Sequence, residues 1–210
     1  MTASPTAPQS SRVSIVLLHG HDSRPGAWVD FMDDLLGQLE VLLPGTAPLI
    51  DIRALSGPVV LGAEPALARF AWFDENVAAF PDAEHAARWV ASRLSGPCVL
   101  IGFSQGAAVA LTVGSHDDAD VIGVVSLSGF LPDGVDAVPA CPLLVMHGED
   151  DELVGVFHGE RTARAAKAAG VPVEVVLAEY GHTLPHDIGP IVSWLAPLLE
   201  RSAHPNDSAT

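Results

Sequence analysis

The chain has 210 residues, nearly half of them apolar, and a formal net charge of −16. That length suits one domain with a substantial core, and the charge argues against nucleic acid or anionic membrane surfaces as partners. No apolar run approaches the roughly 20 residues of a membrane span.

Residues 1–11 are rich in Ser, Thr and Pro, with neither a basic start nor an apolar stretch, so they do not read as a signal peptide. They and residues 202–210 are expected to be disordered tails flanking a single domain at 12–201, and the default location is cytoplasmic. Val13-Ser14-Ile15-Val16-Leu17-Leu18 predicts a strand ending at His19-Gly20. A helix is expected over 28–39, where Phe31, Leu35, Leu36 and Leu39 fall at helical spacing. Leu49-Ile50-Asp51-Ile52 is a second strand candidate. From 56 to 81 the chain reads as one long irregular stretch holding Trp72 and Phe73, and loops of that length are usually functional. Asp82 then caps a helix running to about residue 94, with Glu84 in its first turn.

Pro97-Cys98-Val99-Leu100-Ile101 is a short apolar run, as a buried strand should be, and Ala107-Ala108-Val109-Ala110-Leu111 is rich in helix formers. Between them lies Gly102-Phe103-Ser104-Gln105-Gly106. G-x-S-x-G at a strand-to-helix junction reads as a nucleophile elbow, a turn so tight that glycine is needed beside the serine. Further strands are expected at 121–127, 142–146 and 173–177, with helices at 157–169, ended by Gly170, and at 187–199. Continuous apolar strands alternating with helices imply a mostly parallel sheet covered on both faces. Cys98 and Cys141 would enter different strands with a third between them, about 10 Å apart and beyond the ~7 Å reach of a disulfide, so both read as free core thiols.

In such sheets the site lies at the carboxyl ends of the strands. Four ends carry chemistry: His19-Gly20-His21-Asp22, Ser104, His147-Gly148-Glu149-Asp150-Asp151, and Gly181-His182. A serine hydroxyl needs a base within hydrogen-bond reach, and a histidine base needs an acceptor on its other nitrogen. The order Ser, acid, His is the order of this sheet type. Ser104 is the nucleophile and His182 the base. His186, the competing base, sits at an expected helix start that disfavours an imidazolium. The residues alone leave the acid open between Asp150 and Asp151, with Glu149 behind them. His147 reads as a buried structural histidine. The backbone amides of Gln105 and His21 are the candidate oxyanion donors. The competing reading of His19, His21 and Asp22 as zinc ligands lacks an obvious further ligand.

These segments together resemble the phospholipase/carboxylesterase family of α/β-hydrolases, which contains acyl-protein thioesterases and bacterial carboxylesterases. Leu18-His19-Gly20 with Asp22-Ser23 resembles its oxyanion loop, and Ala71-Trp72-Phe73-Asp74 its aromatic loop motif. Gly102 to Gly106 matches its elbow, His147-Gly148 with Asp151, Leu153 and Val154 its acid loop, and Gly181-His182 its histidine loop. The resemblance implies an α/β-hydrolase fold without a large cap domain, and it puts the acid on Asp151. It departs from the family at His21, where a small or aliphatic residue is usual, and at Glu152, where proline is usual.

The expected activity is cleavage of small carboxylic esters or thioesters, of short to medium acyl length, through an acyl-enzyme, without metal or organic cofactor. Lactone or carbon–carbon bond hydrolysis would keep the same triad, and a catalytically silent binding protein would keep only the scaffold. Trp72, Phe73, Phe130, Leu131 and Val154 are the expected pocket lining, with Trp72 foremost in substrate contact. A monomer or homodimer is expected.

Overall fold

A computed structural model describes residues 13–45, 50–62, 67–132 and 138–203. The expected leading tail, most of the trailing one, and Leu49 lie outside the described residues. Among the described residues six parallel strands form the central sheet: β1 (Val13–Leu18), β2 (Ile50–Leu55), β5 (Cys98–Phe103), β6 (Val121–Leu127), β7 (Leu143–Gly148) and β8 (Val173–Ala178). Their order across the sheet is β2-β1-β5-β6-β7-β8. The helices are α1 (Val29–Leu42), α2 (Ala83–Ala91), α3 (Gln105–Gly114), α4 (Phe157–Ala168) and α5 (Gly189–Ala203), with a 3₁₀ turn at Pro25–Trp28 before α1.

Both faces of the sheet are covered, which is why apolar residues in its central strands fall at adjacent positions as well as at alternate ones. Ile15, Leu17, Val99, Ile101, Val125 and Leu144 point to one side, where Phe31, Leu35 and Leu39 of α1 meet Ile191, Leu195 and Leu199 of α5. Val16, Leu18, Cys98, Leu100, Val124 and Leu143 point to the other, against Ala86 and Val90 of α2, Val109 and Leu111 of α3, and Ala163 and Ala166 of α4. Each such fully buried aliphatic side chain contributes about 1.5–3 kcal/mol relative to exposure. Cys98 and Cys141 are buried and free, with β6 between their strands' positions, and burial pushes their thiols up to about 12 and about 11.

Strand order decides where the site lies. From β1 the chain steps outward to β2, returns past β1 to β5, and then proceeds the other way through β6, β7 and β8. The order in which strands are added therefore reverses between β1 and β5, and a crevice opens beyond the carboxyl ends of strands at such a switch point. The loop after β1 and the elbow after β5 meet there.

Several expectations need correction. The stretch 56–81 is not irregular throughout: β3 (Val59–Leu61) and β4 (Arg69–Ala71) form an antiparallel hairpin, with Val60 opposite Phe70. Three-residue strands are too short to show an alternating pattern. Phe70 also exchanges backbone hydrogen bonds with Ser23, at 3.2 and 2.7 Å, which fastens the hairpin to the loop after β1. The final helix starts two residues later than expected, at Gly189, whose amide bonds to Asp187 Oδ1, and it runs on to Ala203, past the expected boundary of the tail. The Asp82 cap is as expected, its carboxylate accepting from the His85 amide at 3.0 Å, although α2 stops at Ala91.

Candidate active site

The elbow is built by close backbone crossing. A Cβ at Gly102 would strike the Gly106 carbonyl, and one at Gly106 would strike the Leu18 carbonyl at the end of β1. Only glycine lets α3 begin this close to β1 and β5. Between them Ser104 adopts φ 54° and ψ −118°, a left-handed conformation that costs an L residue about 1–3 kcal/mol and persists only where its surroundings enforce it. Here they do: the Ser104 amide donates to the Leu127 carbonyl at 2.9 Å, and its carbonyl accepts from Ala107 and Ala108 in the first turn of α3. Ser104→Gly should therefore be more stable than Ser104→Ala by about 1 kcal/mol, read from urea unfolding midpoints. Equal midpoints would mean the turn carries no such strain.

Beyond Ser104 the side chains form a line. The Oγ of Ser104 lies 2.9 Å from Nε2 of His182, and Nδ1 of His182 lies 2.7 Å from Oδ2 of Asp151. A carboxylate can only accept, so Nδ1 carries the proton and Nε2 presents its lone pair to the serine hydroxyl. The Phe103 ring packs against the His182 ring at 4.8 Å between centroids. Asp151 is 5% exposed, and its other oxygen accepts from the amides of Leu153 at 3.0 Å and Val154 at 2.8 Å. Burial pushes the Asp151 carboxyl up. The hydrogen bonds from His182 and Val154 outweigh it, leaving the group below its ordinary range and ionised at neutral pH.

The two loops that carry Asp151 and His182 are stapled together. The amide of Glu149 donates to the Ala178 carbonyl and that of Asp150 to the Tyr180 carbonyl, at 2.8 and 3.2 Å. This continues the pairing of β7 with β8 past the sheet and leaves the side chains of Glu149 and Asp150 exposed, while Asp151 turns inward. His147 is fully buried and bonds through Nε2 to the Val154 carbonyl at 2.7 Å, tying the end of β7 to the far side of the acid loop. His186 is exposed, and it is His182 that meets Ser104.

The loop after β1 reaches the elbow from the opposite side. A Cβ on Gly20 would sit 3.0 Å from the Phe103 ring and 3.5 Å from Ser104 Cβ, so the backbone running into His21 passes beside Ser104. The His21 side chain is exposed. Gln105 opens α3, where an amide has no intrahelical acceptor. His19 is 1% exposed and both ring nitrogens serve the backbone: Nδ1 bonds the Gly20 carbonyl at 2.7 Å, and Nε2 accepts from the Gly57 amide at 3.0 Å. Burial lowers its pKa, against a smaller opposing effect of the Gly20 bond, so the ring stays neutral. With both nitrogens committed it has no lone pair for a cluster with His21 and Asp22. Asp22 instead pairs with Arg69 of β4 at 3.0 Å, an exposed contact of little energetic weight.

The residues expected to line the pocket differ in exposure. Trp72 is fully buried, its amide donating to Gln105 Oε1 and its indole Nε1 to the His19 carbonyl at 2.6 Å, so it braces two loops and offers no exposed surface, contrary to the exposed position expected of it. Leu131, 5% exposed, belongs to the core beside α3. Phe73, Phe130 and Val154 are half-buried. Sequence reasoning did not anticipate the side-chain role of Gln105 or the packing of Phe103 on His182. The only signal for either was the pair of residues flanking Ser104, which marked a family resemblance and carried no geometry.

Residues 68–188, more than half of the chain, match the family model described as Phospholipase/Carboxylesterase. The match includes Trp72, Ser104, Asp151 and His182 and begins after the loop that follows β1. No curated protein matches the chain. Among solved structures, esterase PE8 is 25% identical, with 91% of this chain and 96% of that one covered at a TM-score of 0.69. Acyl-protein thioesterase 2 of Zea mays is 26% identical, with 92% and 96% covered and a TM-score of 0.67. A carboxylesterase of Bacillus cereus, 16% identical with 92% and 90% covered and a TM-score of 0.64, is similar in fold alone. No helix among the described residues is long and apolar enough to cross a membrane.

Proposed function

The chain belongs to the phospholipase/carboxylesterase family and is a hydrolase on the α/β fold, and from that premise we propose that it cleaves carboxylic esters or thioesters through an acyl-enzyme on Ser104. One observation carries the reading: Ser104, His182 and Asp151 stand in hydrogen-bonded series at 2.9 and 2.7 Å, with the histidine tautomer set for base catalysis.

As Ser104 Oγ adds to the acyl carbonyl, His182 Nε2 takes its proton and the Asp151 carboxylate stabilises the imidazolium. The negative charge moves to the carbonyl oxygen, where the amides of Gln105 and His21 receive it. Collapse expels the alcohol or thiol, which takes the proton back from His182. Water then attacks the acyl-enzyme, giving up a proton to His182, and the acid departs as Ser104 is re-protonated. Every proton is handled by His182, so the cycle closes without a cofactor. The substrate is a small ester or thioester of short to medium acyl length, met in the cytoplasm by a monomer or homodimer. Lactones and carbon–carbon bonds are cleaved by the same machinery in other pockets and form the second reading.

A fluorophosphonate probe should label Ser104 stoichiometrically in the folded protein, and turnover on a panel of p-nitrophenyl esters, acyl thioesters and lactones should be fastest on the first two. An unlabelled Ser104 would overturn the hydrolytic mechanism, and a lactone preference would overturn the substrate class.

A further inference from the structure

We infer that the side chain of Gln105 is a positioning residue that sets the shape of the oxyanion site, an inference that rests on the acyl-transfer reading above. Its amide group makes two bonds to one loop: Oε1 accepts from the Trp72 amide at 2.8 Å, and Nε2 donates to the Phe73 carbonyl at 2.9 Å. Both backbone groups lie beyond the end of β4 at Ala71, outside the hairpin's own pairing. Trp72 passes the constraint on, its indole Nε1 donating to the His19 carbonyl at 2.6 Å and its ring lying 4.9 Å from that of His19. His19 in turn bonds the Gly20 carbonyl, one residue before His21. A continuous path therefore runs from the first residue of α3 through the aromatic loop to the loop after β1.

That path joins the two segments that must act together. The proposed donors are the amides of Gln105 and His21, which come from loops after different strands and must both stand about 2.7–3.1 Å from the same developing oxyanion. Errors of an ångström in such a constellation cost on the order of 100-fold in rate. Gln105 is 8% exposed and Trp72 is fully buried, so the bond from the Trp72 amide to Gln105 Oε1 is shielded from water. One residue thus supplies an amide on its main chain and, through its side chain, fixes the distance to the other.

The test is Gln105→Met, similar in length but without either partner atom, beside Trp72→Phe, which keeps a ring and drops the indole N–H. For each, kcat, KM and the inhibition constant of a substrate-matched trifluoromethyl ketone are measured. That ketone accepts Ser104 Oγ at its carbonyl, sends the hydroxyl proton to His182 and leaves its oxyanion in the hole. The expected result is a fall in kcat of about 10-fold or more, KM within about twofold, a parallel rise in the inhibition constant, and complete fluorophosphonate labelling of Ser104 at long times. The double variant should be less impaired than the product of the singles, because both cut one path. Unchanged kcat, or a fall in kcat with unchanged affinity for the ketone, overturns the inference while wild-type labelling leaves the hydrolase reading standing. Absence of labelling in the wild type overturns both. Should Gln105→Met fail to fold, Trp72→Phe carries the same readout.

Discussion

Replacing Ser104 by alanine is expected to lower kcat for ester hydrolysis by roughly six orders of magnitude, and His182→Ala should do nearly the same. The two side chains act as one unit across a 2.9 Å hydrogen bond, so neither retains its function alone. The hydroxyl is a poor nucleophile without a base, and the imidazole has no proton to take without the hydroxyl. The double variant should therefore be no worse than either single one. What remains in all three, about 10³–10⁴ over uncatalysed hydrolysis, reflects binding and the oxyanion amides, which these substitutions leave in place. The measurement is single-turnover hydrolysis of a p-nitrophenyl ester with protein free of wild-type contamination. Retention of more than about 1% of kcat by Ser104→Ala would show that another group attacks.

The second large effect is a contrast between neighbours. Asp151→Asn should reduce kcat by about 10⁴-fold, whereas Asp150→Asn should change it by less than about threefold. The reason lies in how the carboxylate is divided. One oxygen of Asp151 holds the amides of Leu153 and Val154, and the other faces His182 Nδ1. Two amide donors will keep the single oxygen of an asparagine, so its NH₂ must face His182. An NH₂ cannot accept from Nδ1–H, and the imidazole is driven to the tautomer that carries its proton on Nε2. The lone pair opposite Ser104 is then lost without any loop having moved. Asp150 lies exposed outside this arrangement, and only its backbone amide takes part in joining the loops. A reversed ranking of the two variants would show that the acid is misassigned.

Residues that act locally were legible in the chain. Gly102 and Gly106 flank Ser104 because a single turn requires them, and Asp82 announces its helix by capping it three residues on. The apolar runs in β1, β5 and β7 indicated a sheet buried on both faces, and all three strands lie inside a parallel sheet between its outer strands β2 and β8. The candidate serine, acid and histidine could be placed at strand ends because an alternating strand–helix order leaves few other places for them. Reading residues alone could not separate Asp150 from Asp151: adjacent positions in a turn differ only in direction, which is set by β8 pairing alongside.

Trp72 shows the opposite limit. On a long, pattern-poor stretch a tryptophan looks available to substrate, and its burial depends on the hairpin folding onto the loop after β1 and on Gln105, 33 positions away, receiving its amide. The β3–β4 hairpin was hidden for the same reason, since three-residue strands are held by their partners more than by their own composition.

Sequence by itself therefore determined the fold class, the elbow and the chain order of the proposed catalytic groups, because periodicity and turn sterics act over a few residues. The choice of Asp151 by its geometry, the inward turn of Trp72 and the clamp at Gln105 were decided only by tertiary structure. Each depends on a hydrogen bond between segments far apart in the chain, and local preference carries no information about such a partner.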